Sequence, residues 1–472
     1  MLHTFSSSLF FSVANTVFNY FSARILGPTI FGMWQTVRLI PNYTGFLSIG
    51  TPFYFTREVP KLRGKGDYEK IESIRQTIFT YNYLLFIPVL CGFVFYFIFF
   101  NPEVEFKYAL YATIIILFIS TFTSLNEFLL KGESRFIEIS KIKYFNVPLL
   151  LINLGLLFWL GFIGFLIGQI LVNLSNAVYY FIIRKYPLKF SFNFKIWKDA
   201  VRVGFPISAE VMIDMIFTTI DRLVIVAFLG FTQVGYYSLT SLMVVPITLF
   251  ITSINSVLFV ETLNTSSRQD NKRLIERNFT LPSNTLTYVL PYLIAVMNLL
   301  LPGIILLLLP KYSDGIIPAQ IFIWGMYFYT MTGFFTNTLV SIDKQKILPV
   351  ILAISSTINL VLCIVFVNSG FGIIGISIAA AVAYFCHSGI AVYFTHKYYI
   401  IKHFKSIISR YYIPMFYTIA IYAILINIDL TVNQNIDIIL KLSILTLMSL
   451  PIIIRGTKNI LSLISLRKLS TI

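Results

Sequence analysis

Charge is scarce in this chain: only 12% of its 472 residues are Asp, Glu, Lys or Arg, about half of the ~25% usual in soluble globular domains. With 57% hydrophobic residues and a mean hydropathy of +0.81, that scarcity excludes an ordinary soluble fold. Cysteine is nearly absent. Cys91, Cys363 and Cys386 fall inside apolar runs and read as small buried hydrophobes, not as disulfides or metal ligands. No Gly-x-x-x-x-Gly-Lys-Ser/Thr string occurs, which argues against ATP hydrolysis by this chain. No stretch between apolar runs is long enough to fold on its own or to carry the catalytic groups of a membrane polymerase or ligase, so no enzyme active site is expected. A basic n-region and a convincing cleavage site are missing from the N-terminus, which reads as a retained first helix.

Apolar runs are what the chain has in quantity. Each is long enough to cross ~30 Å of hydrocarbon, and backbone groups at that depth must be satisfied within the chain. The runs are continuous rather than alternating, so they predict helices and not barrel strands. Hydropathy, with Gly, Pro and charge as punctuation, places fourteen spans at 4–26, 32–56, 76–100, 108–129, 144–160, 163–183, 203–229, 235–260, 281–309, 319–341, 348–367, 373–395, 411–428 and 437–454. The fold class expected is an all-α integral membrane protein.

The net charge of +16 does not indicate nucleic-acid binding, because the basic residues are dispersed over short loops. They alternate between loops in a way that orients the chain. One side collects clusters such as Arg57, Lys61, Arg63, Lys65, Lys70 and Arg75, and later Lys131, Arg135, Lys141, Lys143 and Arg184; the opposite loops hold little beyond Lys107 and Lys311. Both termini are therefore expected in the cytoplasm.

An internal repeat accompanies the spans. Gly27-Pro28-Thr29-Ile30-Phe31-Gly32-Met33-Trp34 follows the first span, and Gly230-Phe231-Thr232-Gln233-Val234-Gly235-Tyr236-Tyr237 follows the seventh. Lys141-x-Lys143 matches Lys344-x-Lys346, and the turns holding Gly161/Gly164 and Gly372/Gly375 occupy equivalent connections. A duplication of six helices, inserted in the same orientation, predicts two lobes related by a pseudo-twofold along the membrane normal, with a site between them. The organisation expected is residues 1–190 as an N-terminal lobe, 191–400 as a C-terminal lobe, and 401–472 as two further helices and a cytoplasmic tail.

The strings Ala23-Arg24-Ile25-Leu26-Gly27-Pro28, Phe31-Gly32 and Arg57-Glu58-x-x-Lys61-x-Arg63-Gly64-Lys65-Gly66-Asp67, with Gly204-Phe205-Pro206 and Asp221-Arg222, carry a resemblance. In their order and spacing the chain resembles the Wzx-type polysaccharide flippases of the multidrug/oligosaccharidyl-lipid/polysaccharide superfamily. The resemblance implies movement of undecaprenyl-pyrophosphate-linked oligosaccharides across the bacterial inner membrane for O-antigen (lipopolysaccharide) or capsule assembly. It implies a polyprenyl-pyrophosphate glycan as ligand, with polymerase and chain-length proteins of the same pathway as partners. No cofactor is expected, and without a nucleotide-binding motif an ion gradient, H+ or Na+, or the substrate gradient itself must supply direction. Lipid II flippases and multidrug/cation antiporters of the same superfamily are the alternatives. The first carry a basic-acidic pair where this chain has Phe18-Asn19-Tyr20-Phe21, and the second usually have twelve helices.

Ionisable residues within spans mark candidate sites, since each costs at least ~2.5–3.5 kcal/mol at the bilayer centre. The first lobe supplies Arg24, Arg38 and Glu127; the seventh span supplies Glu210, Asp214, Asp221 and Arg222. At about 100° per residue the three acids fall within a stripe about 40° wide, with Arg222 to its side. One reading has this face line a wet cavity, with Asp214 or Asp221 taking the coupling ion; the other makes these residues structural ion pairs. Arg38 and Arg222, with Arg24 as a further candidate, suit a pyrophosphate through forked hydrogen bonds, although Arg24 is also placed to snorkel to headgroups. His387 reads as a satisfied core histidine, and Pro41, Pro206, Pro246 and Pro291 as kink sites.

Overall fold

A computed structural model describes residues 2–184, 189–245, 248, 271–398, 404–428, 431 and 434–469. Among these there are helices, short 3-10 turns and connecting loops, and no strand. Among the described residues, seven helical stretches are long and apolar enough to cross a membrane, from Tyr68–Phe99 to Ile408–Ile426. They hold eight of the expected spans, because the 48-residue stretch Phe136–Ile183 contains two. The other expected spans, the interrupted second one apart, are helical over most of their described residues. Pro246, residue 247 and residues 249–260 of the eighth span lie outside the described residues.

The chain forms two compact units, Met1–Ser238 and Leu239–Ile472. The first contains α1 (Leu2–Val37), α2 (Leu39–Thr44), α3 (Phe53–Lys65), α4 (Tyr68–Leu84), α5 (Phe86–Phe99), α6 (Val104–Gly132), α7 (Phe136–Ile183), α8 (Phe194–Phe228) and the start of α9 (231–245). Compactness and sequence repeat are separate properties: α8 opens the second repeat, yet it packs against α3 and α4, so the first unit extends beyond residue 190.

Two of these helices are hairpins or bends in disguise. In α7, Gly161 adopts φ 60° and ψ −140°, which turns the fifth span back against the sixth. Gly164 then lies so close to its partner arm that a Cβ there would sit 2.0 Å from the Leu156 carbonyl oxygen. The corresponding second-repeat turn, with Gly372 at φ 54°, has the same plan. In α1, Gly27 (φ 73°, ψ 172°) separates an arm to residue 26 from an arm over 28–37. Phe18, Trp34, Val37, Leu157 and Phe165 bury themselves where α1 meets α7, with Trp34 edge-on to Phe165 at 5.1 Å.

The second span, expected as one helix over 32–56, is discontinuous. Pro41 has no N–H for the Val37 carbonyl, and the helix is interrupted at Arg38. α2 tightens into a 3-10 turn at Gly45–Ser48, and the chain then swings through Ile49 (φ 49°) and Gly50 (φ 73°) before α3 begins. The Tyr81 hydroxyl satisfies one freed carbonyl, donating to Leu47 at 3.0 Å, and the Asn82 amide braces the segment by donating to the Thr51 side-chain hydroxyl at 3.2 Å.

The two copies of the Gly-x-Thr-x-apolar-Gly motif touch each other. Thr29 Oγ1 and Thr232 Oγ1 are 2.9 Å apart. A Cβ on Gly32 would stand 1.9 Å from the Phe231 oxygen, and a Cβ on Gly235 would stand 1.9 Å from the Pro28 oxygen. Each contact maps onto the other under the 203-residue offset, which is the local signature of a twofold axis between the two motifs. Only glycine permits this backbone approach.

In the second unit, α10 (Asn271–Leu308), α11 (Ile316–Ser341), α12 (Leu348–Asn368), α13 (Gly372–Tyr398), α14 (Phe404–Ile426) and α15 (Gln434–Leu469) follow. α13 packs between α11 and α12, and α14 and α15 dock on α10. Gln320 donates to the Tyr422 hydroxyl and to the Asn298 carbonyl, both at 3.0 Å. The C-terminal pair is thus packed into this unit, with Asp437 and Lys441 forming an ion pair at 2.7 Å. His387 is buried, with Nδ1 3.0 Å from Ser355 Oγ, as befits a core histidine.

The motif crossing is testable by cross-linking. With Cys91, Cys363 and Cys386 replaced by serine, Thr29→Cys/Thr232→Cys protein should lose both reactive thiols on mild oxidation, and adding Gly32→Leu should restore them. Full thiol reactivity after oxidation of the double cysteine protein would contradict the crossing.

Candidate functional site

The interruption of the second span and one face of α8 build the site together. From residue 204 outward, Gly204, Ser208, Val211, Met215, Thr219 and Arg222 recur at intervals of three or four and so share one stripe. Gly204 meets Gly50 backbone to backbone, and Thr219 Oγ1 lies 2.7 Å from the Tyr43 hydroxyl. The single proton of Thr219 goes to the Met215 carbonyl at 2.6 Å, so Tyr43 is the donor in that pair. At the C-terminal end of the stripe, Arg222 is half-buried and Arg38 is exposed, close enough for their charges to repel. Arg38 Nη1 is 3.4 Å from Gln35 Oε1.

The three acids of α8 sit about 100° around the helix from this stripe. Asp221 is 1% exposed. Its Oδ2 accepts from the Tyr237 hydroxyl at 2.6 Å, and its Oδ1 from the Arg222 backbone N–H at 2.8 Å. It therefore ties α8 to α9 through its hydrogen bonds. Glu210 and Asp214 are half-buried and within Coulombic reach of one another. Glu127 is bonded to Lys131 at 2.8 Å, an i,i+4 pair with side chains about a third exposed or more, worth ~0.3–0.5 kcal/mol. Arg24 is exposed on α1 and enters none of the described ion pairs. The structure thus brings Arg38 and Arg222 together, pairs Glu210 with Asp214, and sets Arg24, Glu127 and Asp221 in separate surroundings.

Beside the broken span lies a cavity of about 490 Å³, within the ~300–1,000 Å³ typical of ligand pockets. Pro41, three residues beyond Arg38, is among its lining residues. Among the described residues its polar lining is neutral: Asn42, Thr44, Ser48, Asn82, Ser120, Thr121, Ser124 and Ser208, with Phe46, Phe53, Phe86 and Phe128 among the apolar walls. Several hydroxyls spend their proton on a carbonyl of their own helix, as Thr121 does on Leu117 at 2.9 Å and Ser124 on Thr121 at 3.2 Å. Their lone pairs are left to accept hydrogen bonds from a guest rich in O–H groups. None of these residues stood out in the sequence. The signal was there in the run Ser120-Thr121-x-x-Ser124 inside an otherwise apolar span.

A polytopic helical membrane protein with this architecture has the fold of the superfamily that its sequence resembles. The chain belongs to the polysaccharide biosynthesis protein family, whose model matches residues 22–314. Three solved structures are similar over most of their length. A lipid II flippase MurJ in an inward closed conformation shares 15% identity over 97% of this chain and 98% of that one, with a TM-score of 0.67. An inward-facing multidrug resistance MATE family transporter of the MOP superfamily shares 14% identity over 84% and 95%, with a TM-score of 0.65. A MOP superfamily transporter from Pyrococcus furiosus, described by the reversed polarity of its binding pocket, shares 16% over 84% and 93%, at 0.54. None of the curated proteins matches the chain in sequence.

The buried Asp221–Tyr237 bond gives a stability test. Tyr237→Phe leaves a buried carboxylate oxygen without its donor and should lower stability by ~1–3 kcal/mol, seen as a lower thermal midpoint in detergent. Asp221→Asn keeps an acceptor for Tyr237 and should cost less. An unchanged midpoint for Tyr237→Phe would contradict the structural role.

Proposed function

We propose that this protein is a flippase that moves a polyprenyl-pyrophosphate-linked oligosaccharide across the bacterial cytoplasmic membrane by alternating access. Arg38 and Arg222 hold the pyrophosphate, and the neutral hydroxyl- and amide-lined cavity receives sugar. The observation that carries this reading is that Arg38 and Arg222, near enough to repel, stand on the two elements that line a cavity whose described lining residues are uncharged. A multiply charged anion relieves that repulsion and suits forked guanidinium donors. Family membership supports a role in polysaccharide assembly, and the fold shared with a lipid II flippase supports a lipid-linked substrate. Undecaprenyl pyrophosphate as carrier, O-antigen or capsule as product, and polymerase and chain-length proteins as partners are the finer parts of the proposal. A multidrug antiporter reading fits less well, since paired arginines repel cationic drugs.

Glu210 and Asp214 are the groups we assign to the coupling ion, H+ or Na+, because like charges held close favour sharing one cation. Asp221 is already engaged with Tyr237. Arg24 serves as an outer headgroup contact.

In vesicles reconstituted with a fluorescent polyprenyl-pyrophosphate glycan, Arg38→Ala and Arg222→Ala should each slow flipping roughly tenfold or more, the effect of ~1.5 kcal/mol or more from a lost charge-assisted hydrogen bond. Lysine at either position should retain part of the rate. Glu210→Gln/Asp214→Asn should abolish the response to an imposed ion gradient. Efflux of a cationic dye without glycan flipping, or full flipping by Arg38→Ala protein, would overturn the assignment.

A further inference from the structure

The outer surface of the first unit carries a second, chemically different site. α6 has two faces. Leu117, Thr121, Ser124 and Phe128 look into the cavity described above, while Phe118, Ile119 and Phe122 lie about 100–200° around the helix. These three, with Tyr83 of α4 and Ala177, Val178 and Phe181 of α7, line an apolar groove of about 310 Å³. Phe118, Val178 and Phe181 are among the exposed large hydrophobics, as expected of a lipid-facing furrow.

The groove has a polar end. Phe122 also borders a small pocket of about 20 Å³ lined by Arg75, Glu133, Arg135 and Arg184, on the side where the basic loops gather. Two of these arginines are engaged with protein. Arg75 donates to both carboxylate oxygens of Glu72 at 2.8 and 2.7 Å. Arg135 donates to Glu138, Glu133 and the Ile183 carbonyl at 2.9, 3.2 and 3.2 Å. Burial works against the charge of Arg135, yet the two carboxylates beside it raise its pKa above the ordinary arginine value, so it stays a fixed cation. Arg184 differs: its guanidinium lies 3.5 Å above the Phe181 ring, and its Nη1 is buried with no hydrogen-bond partner. A buried N–H without an acceptor costs ~1–3 kcal/mol, so an acceptor from outside the protein is called for.

We propose that this groove binds an anionic glycerophospholipid of the surrounding bilayer, its phosphate accepting from Arg184 and one acyl chain lying along Phe118, Phe122, Val178 and Phe181. Three features fit this occupant. The polar pocket admits one oxygen-sized group, which suits a phosphate oxygen and excludes a sugar. Apolar furrow and orphan cation lie end to end, as phosphate and chain do in one lipid molecule. The basic side of a membrane protein faces the leaflet in which anionic lipids attract arginine and lysine. The site stands on the face of α6 opposite the cavity, so it serves to anchor α4, α6 and α7 and is separate from the transport path.

The test uses the full-length protein in detergent, with phosphatidylglycerol, phosphatidylcholine or inorganic phosphate added, read by native mass spectrometry and by thermal midpoint. Phosphatidylglycerol should bind and raise the midpoint, and inorganic phosphate at equal concentration should do neither. Arg184→Gln should weaken phosphatidylglycerol binding roughly tenfold, the loss of one charge-assisted hydrogen bond. Val178→Trp, which fills the furrow and leaves Arg184 intact, should weaken it too and serves if the arginine variant does not fold. Equal binding of the two phospholipids, undiminished phosphatidylglycerol binding by both variants, or displacement of phosphatidylglycerol by an equimolar polyprenyl pyrophosphate would overturn the proposal.

Discussion

A membrane helix that stops part-way across must find partners for the backbone groups it frees, because hydrocarbon offers none. The second span of this protein does stop, first at Arg38, where Pro41 withholds a proton from Val37, and fully at Ile49–Gly50. Tyr81 and Asn82 supply donors to that segment, and α8 closes on it through Gly204 and Thr219. An interruption of this kind is tolerated only against protein or water. The cavity alongside it, lined by hydroxyl and amide groups, has room for that water.

The rest of the site follows from how α8 is turned. A helix presents residues three and four apart on one face, so fixing Gly204 against Gly50 and Thr219 against Tyr43 also directs Arg222 towards Arg38. The same rotation turns Asp221 into the α8–α9 contact, where Tyr237 takes it. Asp221 and Arg222 stay within Coulombic reach of one another, but the Asp221 carboxylate spends its hydrogen bonds on Tyr237 and on the Arg222 backbone N–H. The glycine crossing of the 28–37 and 231–245 helices holds the start of α9 in place for that arrangement.

Much of this was legible in the amino-acid order. Continuous apolar runs identify a helical membrane protein, and Gly161 marks the hairpin within 144–183 because only a residue tolerant of positive φ turns so tightly there. The 203-residue repeat was readable too, but repetition does not say that two copies touch; the reciprocal contact depends on how the helices cross. The break in the second span had signals in the sequence, with Pro41, Gly45, Gly50 and Pro52 within twelve residues, but Gly and Pro also kink continuous membrane helices, so they did not fix where the helix stops. The hydroxyl lining was hidden for another reason. Serine and threonine in membrane helices bond to the carbonyl one turn back whichever way they face, so their sequence pattern does not distinguish a cavity wall from a lipid-facing surface. The hydrogen-bond partner of Asp221 was not legible, because Tyr237 lies on the next helix.

The account rests on water reaching the broken second span. In protein whose three cysteines are replaced, Asn42→Cys and Ser48→Cys should react rapidly with a membrane-impermeant thiol reagent, whereas Val178→Cys on the lipid-facing groove should not. Protection of Asn42→Cys and Ser48→Cys from both sides of the membrane, under conditions where a loop cysteine labels fully, would mean that the segment is dry and that Arg38 does not head a transport cavity.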